Sequence, residues 1–243
     1  GTRPSFVTVA GDEPDARVGL DRLRDLGEVI HQPAARTIAY RHDEAGARRI
    51  LVLDVPAEPI EIAALPAVPS ADVALLAPIA DELPAIAIAR LRDRARPRLT
   101  VLLIQGWLRR LEVGRPVRAL GLDEVAEELW RSFAEADAIV VSTEDLADGG
   151  GDPFDQAAGL RRRLGPGPVL VLTLGPDGYL LDDPAAHRIV ASVPRAVVAG
   201  VPTVGAGDTF GAALALHLAR GARAADAAAA ATERVIAVLE SRR

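Results

Sequence analysis

The 243-residue chain contains no cysteine, no methionine, no lysine and no asparagine, and aromatic residues make up only 3% of it. Each absence removes a class of chemistry. Without cysteine there is no disulfide framework, no thiol nucleophile and no thiolate-held metal. Without lysine there is no phosphate loop of the GxxxxGK[ST] kind, no Schiff base and no lysine general base, so all 28 basic residues are arginine. Histidine is sparse as well: His31, His42, His187 and His217 are scattered and form no HExxH-like metal pair. No serine sits in a GxSxG context, which argues against α/β-hydrolase chemistry. No apolar run approaches a membrane span and no signal-like segment opens the chain, so the expectation is a cytoplasmic protein without a membrane partner. A net charge of −6 argues against a broad nucleic-acid-binding face.

What is present is ordinary for a soluble globular enzyme: 49% hydrophobic and 26% charged residues, enough chain for one large α/β core. Val7–Gly11 reads as a strand, and residues 15–26 place Val18, Leu20, Leu23 and Leu26 roughly at helical spacing before Gly27. Thr37–Asp54 reads as two extended runs turning around Asp43-Glu44-Ala45-Gly46, a hairpin. Strands are expected at 72–76, 99–104, 138–141 and 169–173, with helices at 83–94, 122–136 (capped near Asp123) and 154–164. Trp130 and Phe133 read as core, and Arg161-Arg162-Arg163 as a solvated face. Residues 148–153 are the clearest loop, 179–181 and 188–191 an antiparallel pair, and 222–241 a final Ala-rich helix. Strands alternating with helices predict a layered α/β fold on a mostly parallel sheet, with no linker dividing residues 1–243 into separate domains.

One stretch carries the chemistry, Val201–Arg220, VPTVGAGDTFGAALALHLAR. Gly205, Ala206 and Gly207 keep side chains out of a turn, so backbone N–H groups can converge, and Asp208 is expected at the N-cap of an apolar helix. A helix N-terminus favours phosphate and developing negative charge. A carboxylate there makes sense if it takes a proton from a hydroxyl while the loop steadies the phosphoryl group under attack. The plainer reading is a glycine turn with an aspartate cap. A dinucleotide-binding reading of Gly205, Gly207 and Gly211 fails because two helices and no strand follow.

Taken together, several stretches resemble the ribokinase-like (PfkB-type) carbohydrate kinases. The closing family signature, D-T-x-G-A-G-D before a helix, stands here as Pro202-Thr203-Val204-Gly205-Ala206-Gly207-Asp208. Val169–Gly178 (VLVLTLGPDG) is similar to the strand and turn facing the nucleotide. Ser142-Thr143-Glu144-Asp145 stands where the family has N-x-x-E, with Asp145 in the acidic place and Ser142 in the asparagine place. Weaker echoes are Val9–Glu13 and Gln105-Gly106-Trp107-Leu108-Arg109.

The resemblance implies a three-layer α/β/α sandwich with a reduced or partial β lid around residues 37–54. It also implies transfer of the ATP γ-phosphoryl group to a hydroxyl of a sugar, polyol or nucleoside. Asp208 would then be the general base and Gly205, Ala206 and Gly207 the anion hole. Thr173, Gly175, Gly178 and Ser142 would lie along the nucleotide, and Asp145 would act through Mg²⁺. The oligomeric state stays open between a monomer and a homodimer, since family dimers often pair through the lid. Two departures stand out. Pro202 replaces the leading aspartate, which in some members helps hold a monovalent cation. The usual N-terminal segment, with a first strand and a G-G-x-x-N stretch, is expected to be missing or reduced to residues 1–5. The alternative function is a catalytically impaired nucleotide-binding protein of the same fold.

Overall fold

The structure is a computed structural model and describes residues 3–45, 48–65, 68–147, 150–186 and 188–243. The chain opens with β1 (Ser5–Ala10), α1 (Pro14–Leu26) and β2 (Glu28–Pro33). β1 and β2 pair in parallel as a two-stranded sheet of their own, the helix supplying the crossover that parallel strands need. β2 was not expected from the sequence: its EVIHQP run is too polar to read as a buried strand, and it pairs on one side only. β3 (Ala39–Ala45) and β4 (Arg48–Val55) form the expected hairpin. Asp43, Glu44 and Ala45 belong to its first strand, not to its turn, and Gly46 lies outside the described residues. Segment 114–117 fastens the hairpin from behind: Gly114 N–H donates to the Leu53 carbonyl, and Val117 N–H to that of Leu51.

The main sheet follows. β5 (Val73–Leu76), α2 (Ala85–Ala95) and β6 (Leu99–Leu103) lead through a tight turn at Ile104–Leu108 into a small ladder of β7 (Arg109–Arg110) and β8 (Arg118–Ala119). Next come α3 (Glu127–Ala134), β9 (Ala138–Ser142), α4 (Pro153–Leu164), β10 (Val169–Thr173), β11 (Tyr179–Asp183), β12 (Arg188–Ser192), α5 (Ala206–Ala219) and α6 (Ala224–Glu240). The sheet order is β12-β11-β10-β9-β6-β5. The four strands from β5 to β10 run parallel, and β11 and β12 continue antiparallel.

Side-chain alternation builds the layers. Leu102, Ile139 and Leu170 lie in register across three strands and point into a core shared with α2, α3 and α4. The next row, Leu103, Val140 and Val171, points the other way, into a core shared with α5 and α6. A parallel strand covered on both faces must be apolar throughout, which is why these runs show no polar alternation. The result is a three-layer α/β/α sandwich. On the second face Ala224, Ala227, Ala228 and Ala231 are buried, and small side chains let α6 lie close on α5. On the first, Phe133 is fully buried between Trp107 and Trp130, at ring-centroid distances of 5.1 and 5.6 Å.

Two local expectations change. α3 begins at Glu127 without a side-chain cap, because Ala126 holds the cap position; Asp123 lies three residues before it and pairs with Arg163. Arg161 is not a solvated residue. It bonds the Asp182 carboxylate at 2.7 Å and the carbonyls of Gly165, Pro168 and Asp182, tying α4 to the strands beside it. No helix among the described residues is long and apolar enough to cross a membrane. Phe133→Ala, which empties the space between the two tryptophans, is expected to cost about 3–5 kcal/mol in urea unfolding. Arg163→Ala on the surface is expected to stay within about 0.5 kcal/mol of the parent.

Candidate active site

The sequence-predicted residues collect at the carboxyl ends of the parallel strands, where open α/β sheets bind their ligands. Ser142 ends β9 and Thr173 ends β10, directly opposite each other in register. Beyond Ser142 the chain closes a capping box: Glu144 N–H donates to the Ser142 hydroxyl at 3.3 Å, and Ser142 N–H donates to Asp145 Oδ2 at 3.3 Å. That box turns the Asp145 side chain inward, leaving it 14% exposed. Burial pushes its carboxyl above the ordinary 3.8, against the opposing influence of Arg109 and of the Ser142 N–H. Arg109 Nη2 stands 3.7 Å from Asp145 Oδ1, and its Nη1 donates to the Ile79 carbonyl, which Tyr40 of the hairpin also reaches. A cleft of about 370 Å³ lies here, lined by Ile50 and Leu51 of the hairpin, Arg109, Val117, Glu144 and Asp145 among others.

Arg109 is the residue the sequence reading left without a role. Its neighbours Gln105–Leu108 mark the end of β6, but the partner that makes it part of the site is Asp145, 36 positions on. No group of three or more histidine, aspartate or glutamate side chains suited to a metal occurs among the described residues. A single carboxylate still fits Mg²⁺, which keeps most of its waters and takes substrate phosphates as further ligands.

After Thr173, whose hydroxyl donates to the Val141 carbonyl, a tight turn spans Gly175–Asp177. Gly175 has φ +60° with open space where a side chain would be. Gly178 has φ +100°, and an added Cβ there would collide with the Ser192 carbonyl of β12. The close approach that Gly178 permits is therefore to the protein's own backbone.

Asp208 is not the helix cap. Gly205 occupies that position in the left-handed conformation (φ +81°), and Asp208 is the third residue of α5, exposed in its first turn. An added Cβ on Gly211 would run into Leu103, so this part of α5 rests on the last residue of β6. The turn carrying Asp208 thus stands at the same carboxyl edge as Ser142 and Thr173. Ala206 N–H donates to the Thr203 carbonyl at 3.0 Å, whereas the N–H groups of Gly207 and Asp208 meet no acceptor among the described residues. Arg242, from the far end of α6, braces the loop by donating to the carbonyls of Pro202 and Val204 at 2.7 and 2.9 Å. No hydrogen bond or ion pair links Asp208 to Asp145 among the described residues.

A carboxyl whose value rises on folding loses stability as pH climbs through that value, so ionised Asp145 is a cost at neutral pH. In metal-free buffer Asp145→Asn is expected to be more stable than the parent at pH 7, the gain fading as the pH falls through the raised folded value and being gone below the ordinary 3.8; a less stable variant at pH 7 would contradict this. Gly178→Ala is expected to lower the melting temperature more than Gly175→Ala, since both meet left-handed strain but only the first also meets the Ser192 carbonyl.

The profile described as "pfkB family carbohydrate kinase" matches residues 115–239, from the segment behind the hairpin to the end of α6. No curated protein matches the chain by sequence. Among solved structures, the chain is similar to a pyrophosphate-dependent kinase of the ribokinase family complexed with a pyrophosphate analogue and myo-inositol: TM-score 0.72, 17% identity, covering 99% of this chain and 82% of that one. It is also similar to a fructokinase from Vibrio cholerae bound to fructose, ADP and calcium (TM-score 0.69, 20% identity, 96% and 77% covered). A third is an adenosine kinase from Schistosoma mansoni in complex with 2-fluoroadenosine (TM-score 0.69, 14% identity, 97% and 73% covered). With the profile spanning more than half of the sequence and the ribokinase-like sandwich beneath it, the chain belongs to the pfkB family of carbohydrate kinases.

Proposed function

We propose that the chain transfers the γ-phosphoryl group of ATP to a hydroxyl of a sugar or sugar-like small molecule. The observation that carries this reading is the first turn of α5. An exposed carboxylate, Asp208, stands there beside backbone N–H groups of Gly207 and Asp208 that the protein leaves without acceptors. Those donors would be available to an anion, and the carboxylate to a proton. Asp208 would accept the hydroxyl proton as the oxygen attacks. The N–H groups of Gly207 and Asp208 would hold the charge that develops on the phosphoryl oxygens, Ala206 fixing the loop through its bond to Thr203 and Gly205 turning the chain into the helix.

The other residues suit the donor side. Thr173, Ser142 and the open Gly175 line the approach along the strand ends, and Gly178 shapes the turn that presents them. Asp145 would hold Mg²⁺ through water, and the ion when bound would neutralise charge on the donor phosphates. The β3–β4 hairpin, which lines the cleft beside Asp145, would serve as a partial lid over the acceptor. Neighbours of the same fold supply the acceptor panel in their descriptions: myo-inositol, fructose and a nucleoside.

The test is release of ADP in a coupled assay with Mg-ATP over sugars, polyols and nucleosides, with pyrophosphate as donor in a parallel arm. One class of acceptor is expected to raise turnover, and Asp208→Asn to lower that turnover about 10²- to 10⁴-fold. Mg-ATP should still raise the melting temperature of the variant. If no acceptor raises turnover above that of Asp208→Asn while Mg-ATP still binds, the impaired nucleotide-binding protein is the better account.

A further inference from the structure

The loop ahead of α5 has little bonding of its own. Among the described residues, no backbone N–H of residues 194–205 donates to a backbone carbonyl. Pro202, Thr203 and Val204 are exposed, Val204 at 71%, so packing on these three contributes little. The side-chain ties of the loop run to one helix. Arg195 Nε donates to Glu233 of α6, and Arg242, just past the end of α6, donates to the carbonyls of Pro202 and Val204.

Both bonds from Arg242 leave the same nitrogen, Nη1, at 2.7 and 2.9 Å. Two alternate carbonyls converging on one point form a cation-coordinating pair, and here the cation is a permanently charged guanidinium. Residues 201–207 carry no charged side chain, and among the described residues no carboxylate pairs with Arg242. Its Nη2 lies 4.0 Å from where a Cβ on Gly205 would stand, beside the residue that caps α5. The charge therefore adds to the positive end of that helix. The other carbonyls of the loop are also engaged. Thr203 C=O accepts from Ala206 N–H at 3.0 Å, and Gly205 C=O from Thr209 N–H at 2.9 Å. Each carbonyl from 202 to 205 thus has a partner, and none of those partners is the N–H of Gly207 or Asp208.

The geometry points to Arg242 as a positioning residue for phosphoryl transfer, a cation built into the chain that fixes this loop and so holds the Gly207 and Asp208 donors in place. The inference rests on the kinase reading for its consequence and on the loop contacts for its cause. Tethering makes the contact intramolecular, so no free monovalent ion has to be captured at the two carbonyls.

The experiment compares the 243-residue protein with Arg242→Ala and with Arg243→Ala, which removes the same charge one residue on without the loop contacts. Both residues are exposed and lie beyond the last residue of α6, so circular dichroism is expected to stay unchanged. Amide hydrogen exchange at Ala206 and Thr209, whose bonds close the turn, is expected to quicken about tenfold in Arg242→Ala alone. Guanidinium ion, well below denaturing concentration, should restore slow exchange, and tetramethylammonium at equal ionic strength should not. In the parent these amides should exchange equally in potassium and tetramethylammonium chloride. With an acceptor that raises turnover, Arg242→Ala is expected to lower kcat about tenfold with KM for the acceptor within about twofold, and guanidinium to recover kcat. Unchanged exchange in Arg242→Ala, equal quickening in Arg243→Ala, or failure of guanidinium to restore it would overturn the assignment. So would slower exchange of the parent in potassium, by showing that a free ion holds the carbonyls. Quickened exchange with unchanged kcat would make Arg242 a structural brace and overturn the positioning role. If no acceptor raises the parent's turnover, the kinase reading fails and the positioning role with it, while exchange alone still decides whether Arg242 holds the loop.

Discussion

Parallel strands have to be apolar on both faces, and most of this molecule follows from that obligation. The rows Leu102–Ile139–Leu170 and Leu103–Val140–Val171 send neighbouring residues of the same strands in opposite directions, so one helical layer cannot suffice. α2, α3 and α4 cover one face and α5 and α6 the other. Because helices return the chain each time, every parallel strand ends at the same edge. That edge is where the backbone leaves regular pairing and polar groups can be held without burial. Ser142, Thr173 and the head of α5 meet there because the sheet is parallel, and their chemistry is a consequence of where strands stop.

Much of this was legible in the sequence. The buried runs at 99–104, 138–141 and 169–173 could be read because two-sided burial leaves an unbroken apolar signal. The turn at Gly205 could be read because a left-handed residue at the start of a helix favours glycine. What escaped depended on distant partners or on incomplete burial. β2 carries the polar His31 and Gln32 half-buried beside Ile30, so its apolar periodicity is weak. Arg161 reads as surface until Asp182 is brought beside it, and Asp123 reads as a cap until Arg163 claims it. Asp208 was placed three residues too early in its helix register, because Gly205 in the left-handed conformation caps the helix before the carboxylate. Arg109 and Arg242 have no local signature at all, since one finds its partner across the sheet edge and the other across 38 to 40 positions.

The absence of lysine shapes the electrostatics of the edge. Arginine is the only permanent cation available, and near Asp145 it works as a partner that also ties down a carbonyl, with Nη1 on Ile79 and Nη2 toward the carboxylate. The pair is too long for a strong hydrogen bond and too buried to be screened like a surface bridge. Asp145 is therefore held from two sides, by the charge of Arg109 and by the backbone N–H of the Ser142 box.

The brace from Arg242 couples two kinds of motion. Helix ends fray before helix centres do, and local opening there needs far less free energy than global unfolding. Arg242 follows the last turn of α6 and holds the carbonyls of Pro202 and Val204, four and two residues ahead of Ala206. Opening that terminal turn therefore releases the loop before α5, and closing it restores the loop. The lifetime of the loop geometry ahead of α5 is set in part by the fraying rate of the neighbouring helix.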